Sequence, residues 1–433
     1  MGGRKILISP LNWGFGHAGR MIPLAAGLKK RGNEVIFGVD KNLIPLVRSE
    51  LPGITITEIR GIRIRYSRHL PQYLCIVLQL PCIIAASVRE YYDLRRLASR
   101  LQPDLIISDN RFGLRHRNIR SVYVTHQLRI AFPKWLRVME PLGERLHRMI
   151  ISRFDLCLVP DYPGPANLSG RLSHDLPLPE NICYCGPLSR FGTATSRTGR
   201  LPASASGTGI ASGSARPSSG TTTTASQNTG VSSSTTTLAA TGTYTGTSHA
   251  ANTHPSVNPA AISGGSQTPP VQPFCCLILS GPEPQRSILL EKVTAAVTGM
   301  PLVILSATPL HPKLKGNQEI TVVTNPDTAT MKRYLVEAAR IIARAGYTTI
   351  MELASLDRGA ILIPTPGQTE QEYLGRYLHG RLGFVTVRQR DIRPELPGSL
   401  PPGNKTTDAE AGLPDAAPLL EKALDMLLEK KEE

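Results

Sequence analysis

No two cysteines in this 433-residue chain stand in a Cys-x-x-Cys spacing, and the seven that occur are odd in number and mostly embedded in apolar runs. Neither a zinc site nor a disulfide framework is suggested; buried, reduced thiols in a cytoplasmic setting are expected. Long apolar runs are lacking too. The greasiest stretch, LCIVLQLPCIIAASV at 74–88, is broken by Gln79 and Pro81. It falls short of the roughly 20 apolar residues that a membrane-spanning helix needs. The chain opens almost directly on KILISPLNWGFGH, with no long apolar core and no cleavage site, so no secretory leader is expected. RRM, helix-turn-helix and zinc signatures are absent, which argues against nucleic acid as a partner. Acidic residues are missing altogether from 193–272, where Ser, Thr, Gly, Ala, Pro and Asn make up nearly everything. Such a stretch cannot bury enough apolar surface to offset its ordering entropy, so it is expected to be a disordered linker or an inserted segment.

What remains divides into 1–192 and 273–433, enough chain for two domains. Their charge differs. The first half carries 28 Lys and Arg against 14 Asp and Glu, whereas the second is nearly balanced. The basic excess therefore belongs to the first half and implies an anionic partner there: a membrane surface, a phosphorylated substrate or nucleic acid.

Both halves alternate strand and helix signals. KILIS (5–9) enters the glycine-rich turn GFGHAGR, and a helix follows with Met21, Ile22, Leu24, Ala25 and Leu28 at helical spacing. EVIFGV (34–39), PDLIISD (103–109), SVYVTH (121–126), DLCLVPD (155–161) and ICYCGP (182–187) complete the first set of strands. The second set is FCCLILSGP (274–282), LVILS (302–306), ITVVT (320–324), RIIAR (340–344) and AILIPTP (360–366), with helices from Gln285, over 328–340, after Arg344 and from Glu370. Continuous Val/Ile/Leu strands separated by helices predict α/β architecture with parallel sheets covered on both faces. Two such doubly wound domains bind their ligand in the cleft at the carboxyl ends of the strands.

Three loops fall on that edge of the second domain: SGPEPQR, RAGYTTIME and PTPGQTEQEY. RAGYTTIMEL opens a helix with a bare backbone, whose unpaired N–H groups and positive dipole end suit a diphosphate. Gly346 permits close approach, and Thr348 and Thr349 can add hydroxyl donors. Glu352 lies about 9 Å further along the helix, a reach suited to a ribose diol. On spacing alone an ordinary capped helix with a solvated Glu352 fits equally well.

The run RAGYTTIMELASL…AILIPTPGQTEQEYLGRYL resembles the donor domain of GT-B glycosyltransferases of family 28, a family that includes the N-acetylglucosaminyltransferase of peptidoglycan synthesis. PLNWGFGHAGRMIPLAAGLKKRGNEV resembles the family's N-terminal glycine-rich loop and the helix after it. The GFGHAGR loop, SDNRFGL, THQL, NLSGRLSH and GPLSRF resemble uncharacterised family-28-like proteins more closely still. The likeness covers 4–192 and 274–390 and implies two Rossmann-like domains facing a central cleft. It puts Glu352 at the ribose, Gly346 and Tyr347 at the diphosphate, and Gln371 and Glu372, with Gln368 in the same loop, beside the sugar. The family has two glutamines where this chain has Gln371 and Glu372, which leaves the sugar open. Arg286 lies near the position of a basic residue, although SGPEPQR departs from the family's loop. The implied reaction is inverting transfer of a hexosyl group from a nucleotide sugar, UDP being the expected nucleotide, with the donor as substrate and no cofactor. There is no Asp-x-Asp signature, so no metal is expected. His17 is the candidate base, with Asp109 as its rival; a loop-shaping histidine is the bland alternative. Arg20, Asn110, Arg111, His126 and Gln127 should line the acceptor side, unless they merely satisfy strand-end backbone groups. The loop 162–174 is expected to shape the interdomain cleft.

In the lipid-linked branch of the family the acceptor sits at an anionic membrane. Residues 60–96 combine RGIRIRYSR, the apolar 74–88 run and REYYDLRRL, which suits a peripheral face at the inner side of the plasma membrane; a core helix with solvated ends is the alternative. Two other functions stay open: a sugar-nucleotide 2-epimerase, needing cleft carboxylates to move a proton, and a non-catalytic sugar-nucleotide-binding subunit.

Overall fold

The computed structural model describes residues 3–12, 15–61, 72–177, 179–192, 269–270, 272–310, 319–393 and 413–429. The expected linker 193–272, apart from 269, 270 and 272, lies outside them, as does most of RGIRIRYSR.

The first sheet has seven parallel strands: β1 (Lys5–Pro10), β2 (Glu34–Val39), β3 (Thr55–Glu58), β4 (Leu105–Asp109), β5 (Arg120–Val124), β6 (Leu156–Val159) and β7 (Ile182–Tyr184). They lie in the order β3-β2-β1-β4-β5-β6-β7. The helices that cover it are α1 (Phe15–Lys30), α2 (Ile44–Glu50), α3 (Gln72–Leu78), α4 (Leu80–Leu101) and α5 (Glu140–Ile151), the last preceded by a 3₁₀ segment at Lys134–Met139. β3 is an edge strand absent from the sequence reading. Its TITE sequence is short and polar, and it lacks the Val/Ile/Leu run that marks strands buried on both faces.

The second sheet has six parallel strands: β8 (Cys275–Leu279), β9 (Leu302–Ser306), β10 (Ile320–Thr324), β11 (Arg340–Ala343), β12 (Ile361–Leu362) and β13 (Val385–Thr386). Their order is β10-β9-β8-β11-β12-β13. α6 (Gln285–Ala296), α7 (Thr328–Glu337), α8 (Tyr347–Ser355) and α9 (Thr369–Leu378) pack on it. Strand order reverses between β1 and β4 and again between β8 and β11, the switch points where open α/β sheets hold ligands.

The last helix, α10 (Ala417–Leu428), follows the second sheet in sequence but packs on the first. Ala423, Leu424 and Leu427 are buried in one cluster with Leu24 and Leu28 of α1 and Val35 of β2. A Cβ on Gly27 would come within 2.8 Å of the Leu424 side chain, so glycine there lets α10 pack closely on α1. Arg31 adds ion pairs to Glu421 and Asp425. In the opposite sense, Tyr162, Leu168 and Leu172 of the first half join the core of the second domain. Asp161, fully buried, organises that loop by accepting from the backbone N–H groups of Leu168 and Ser169, both at 2.9 Å. Tyr373 and Tyr377 of α9 seat it: Tyr373 accepts from the Arg171 N–H at 2.7 Å and Tyr377 donates to Asn167 Oδ1 at 2.9 Å. The 162–174 loop thus lies at the domain seam.

Candidate active site

β1 and β4 are neighbours, so the turn leaving β1 and the residue closing β4 meet at the carboxyl edge of the first sheet. Asp109 is completely buried there. Arg20, itself 1% exposed, donates from Nε to Oδ2 at 3.0 Å and from Nη2 to Oδ1. His17 Nδ1 lies 2.9 Å from the same Oδ2 and 3.0 Å from Arg20 Nη2. A guanidinium only donates, so a proton on Nδ1 can serve only the carboxylate. With its proton on Nδ1 the ring donates to Asp109 and leaves Nε2 unprotonated; with its proton on Nε2, Nδ1 accepts from Arg20 instead, and Nε2 forms no hydrogen bond among the described residues. Burial, and then the Arg20 charge, push the His17 pKa below its ordinary 6.5 against the pull of Asp109. The imidazole is neutral at neutral pH. Burial also opposes ionisation of Asp109, but Arg20 and His17 outweigh it and hold that carboxyl below its usual range.

The network continues across the seam. Arg20 Nη1 donates to His126 Nδ1 at 3.1 Å, and His126 Nε2 lies 2.7 Å from Glu370 Oε1. One imidazole accepts from the arginine and donates to the glutamate. Its ring stacks on Tyr347 at 4.1 Å, and the Tyr347 hydroxyl donates to the Pro160 carbonyl at 2.8 Å.

The remaining first-domain residues divide. Asn110 sits in the left-handed region (φ 53°) and accepts from the Tyr123 hydroxyl at 3.1 Å; Gln127 is half-buried after β5. Arg111 is not on the acceptor side. It is buried on Glu90 at 2.8 Å, with further bonds to the Ser9 hydroxyl and the Arg60 carbonyl, and it ties α4 to the sheet.

On the second sheet the helix start is as bare as expected. Gly346 caps α8 without a side-chain hydrogen bond, and a Cβ built on it would meet nothing within 4 Å. Gly281, in the turn after β8, opens on similar space. Arg286 begins α6 and bonds the Ser306 hydroxyl at 2.7 Å. The Tyr347 side chain is committed to His126 and Pro160, so only its backbone is left for a diphosphate. Thr348 packs against Gly16, where a Cβ would come within 3.0 Å of its hydroxyl, while Thr349 is half-buried. Glu352 is buried, with Oε1 accepting from Arg190 Nε at 2.8 Å. Gln368, Gln371 and Glu372 shape their own turn. Gln368 caps α9 on the Gln371 N–H, while Gln371 and Glu372 accept from the N–H groups of Thr365 and Gly367, both at 2.9 Å. That turn presents Glu370 to His126.

Sequence reasoning missed Glu370, Arg190, Asp161 and Arg344. Arg344 is buried, donates to the Ile363 and Gln285 carbonyls, and is pulled down to about 10 by desolvation. It joins the loops after β11 and β12 to the start of α6. Each lay in a stretch that the sequence singled out: Arg190 in GPLSRF, Arg344 opening RAGY, Glu370 in PTPGQTEQEY and Asp161 closing DLCLVPD.

Residues 306–400 match the glycosyltransferase family 28 C-terminal domain. The match contains both the uncapped helix α8 and the Glu370 turn. An uncharacterized glycosyltransferase of Methanosarcina acetivorans is 28% identical over 220 residues, 46% of this chain and 53% of the relative. The UDP-N-acetylglucosamine–N-acetylmuramyl-(pentapeptide) pyrophosphoryl-undecaprenol N-acetylglucosamine transferase of Granulibacter bethesdensis is 26% identical over 195 residues, 39% of this chain and 50% of that protein. The chain spans about half the length of these curated relatives. Among solved structures, the calicheamicin glycosyltransferase CalG4 superposes with a TM-score of 0.53 at 13% identity, over 98% of this chain and 95% of its own. The glycosyltransferase SnogD from Streptomyces nogalater gives 0.50 at 13% identity, over 99% and 94%. The fold is GT-B.

Proposed function

We propose that the chain is an inverting, metal-independent glycosyltransferase that moves a hexosyl group from a uridine diphosphate sugar to an acceptor hydroxyl, with His17 as base. The contact between the two loops carries this reading: Gly16, one residue before the base, lies against Thr348 in the first turn of α8. An acceptor hydroxyl at Nε2 of His17 therefore sits near a donor whose diphosphate rests on the open N–H groups at Gly346. The neutral imidazole takes the proton, Asp109 steadies the imidazolium that forms, and the helix tip stabilises the departing diphosphate. The nucleotide rests on the UDP donor named for the Granulibacter bethesdensis relative. Glu352 is the ribose ligand of this proposal, braced by Arg190.

The acceptor is proposed to be lipid-linked and met at a membrane surface. No helix among the described residues is long and apolar enough to cross a membrane. However, Leu80, Ile84, Val88 and Tyr92 expose one apolar stripe along α4.

The test is release of UDP from a panel of UDP-sugars by the full chain, with product anomers assigned by NMR. Inverted product, unaffected by EDTA and abolished in His17→Ala, is expected. Sugar interconversion without an acceptor would establish the epimerase instead, and nucleotide binding without turnover would leave a binding subunit.

A further inference from the structure

In the first domain the charges of Arg20 and Asp109 cancel. A proton on His17 would therefore add an unmatched positive charge to a cluster largely removed from water. Burying a lone charge is costly, so a base placed this way would hold its proton weakly. The compensating charge comes from the other domain. Glu370, in the first turn of α9, has Oε1 2.7 Å from His126 Nε2, and its side chain is 20% exposed.

Arg20 decides how that link is made. Its Nη1 faces His126 Nδ1 at 3.1 Å. A guanidinium only donates, so Nδ1 of the neutral ring accepts and the ring proton stands on Nε2, toward Glu370. Stacking on Tyr347 keeps the ring in that plane. Glu370 Oε2 accepts from Gln368 Nε2 at 3.2 Å, so both carboxylate oxygens are hydrogen-bonded. Burial opposes ionisation of Glu370, but His126, Gln368 and the His17 charge outweigh it and hold the carboxyl below its usual range. Glu352 of α8, against which Gly19 lies, is matched by Arg190 and adds no net charge. Asp109, Arg20 and Glu370 thus leave one negative charge in excess, and a proton on His17 neutralises it.

We propose that Glu370 is a positioning residue of the transfer reaction: through His126 it sets a carboxylate of the donor domain against the first-domain cluster, so that His17 can keep the proton it takes from the acceptor. The inference rests on the reading of His17 as base. The turn that carries Glu370 also carries Gln368 and Gln371 of the expected sugar site, so the base is complete only when the donor turn is seated on the first domain.

The pH profile of kcat/KM tests it, for the full chain and for Glu370→Gln, an isostere that keeps an acceptor for His126 and removes only the charge. Loss of that charge disfavours the imidazolium. The acid limb should move about one pH unit lower, and plateau kcat should fall about three- to tenfold, as for a weaker base. UDP affinity by calorimetry should be unchanged. Glu370→Ala should move the limb equally. Glu34→Gln, at the amino edge of the first sheet and so opposite the site, should not move it. A fall in kcat with the limb in place would mark a packing role and overturn the proposal, and an equal shift in Glu34→Gln would overturn it in favour of net charge. An unmoved limb in Glu370→Gln, with His17→Ala inactive, would refute the Glu370 role and leave His17 as base. Full activity in His17→Ala would overturn both.

Discussion

Asp109 holds two different partners, and removing it should separate two kinds of loss. His17→Ala takes away a partly exposed ring whose Nε2 forms no hydrogen bond among the described residues. It should cost about 10²–10⁴ in turnover, the range for a positioned base, and leave stability within about 1 kcal/mol. Asp109→Asn does more. It frees the His17 ring to carry its proton on Nε2, removing the base by a tautomer change of similar catalytic cost. It also strands Arg20, 1% exposed, without a counter-charge, at about 3–5 kcal/mol of stability. The double variant should therefore be no slower than the worse single one to within about tenfold, because both changes disable one unit. Pairing Asp109→Asn with Arg20→Met removes the stranded charge and should return most of the stability but none of the activity. The assay is steady-state UDP release, with urea unfolding of each variant alongside. Losses that multiply in the His17→Ala/Asp109→Asn double variant would refute the dyad, as would full activity in Asp109→Asn.

The depressed pKa of His17 means that kcat/KM should hold as pH falls past 6.5 and drop only at a lower pH; a fall centred at or above 6.5 would contradict the proposed Arg20 and burial effects. His147, buried on α5 and pushed down to about 4, gives stability that is fully present above pH 6.5 and lost as pH falls toward 4, about 3 kcal/mol in all. His147→Phe should flatten urea midpoints across that window, and an unchanged slope would show that other groups titrate there. Glu352→Ala should weaken UDP binding by about 1–3 kcal/mol in calorimetry; unchanged affinity would remove its ribose role. Deleting about residues 200–265, outside the described residues, should leave melting temperature and turnover nearly unaltered, since that composition has no core to lose and loop cost varies slowly with length; a large drop in melting temperature would show that the segment packs.

The strands were legible because a parallel strand buried on both faces needs an unbroken Val/Ile/Leu run, and LIISD, CCLIL and LVILS each supply one. β3 and β13 were not, since a short edge strand tolerates TITE or a two-residue VT pair. The uncapped start of α8 was legible from Gly346, a residue whose role is local. Relations between distant residues were not. His17 and Asp109 stood as rivals because nothing local says that β1 and β4 are adjacent, and adjacency makes them partners. Glu370 was passed over because an acid in the first turn of a helix reads as a complement to its dipole. Arg111 was misplaced because its partner Glu90 lies on a helix 21 residues earlier, and a strand-end arginine without that partner would face the cleft.

The seating of α10 bears on how the chain can be cut. Burial of Leu424 and Leu427 contributes about 3–6 kcal/mol of hydrophobic free energy, spent on the lobe that the chain had already left. A fragment beginning at 273 would carry that helix with its apolar face uncovered, and one ending at 192 would keep an empty seat beside Gly27. A single proteolytic nick within 200–265 would instead leave two pieces clasped by α10, so a cleaved chain should still elute as one species in gel filtration. The halves should then behave as a split protein whose complementing helix, α10, is already seated on the first sheet.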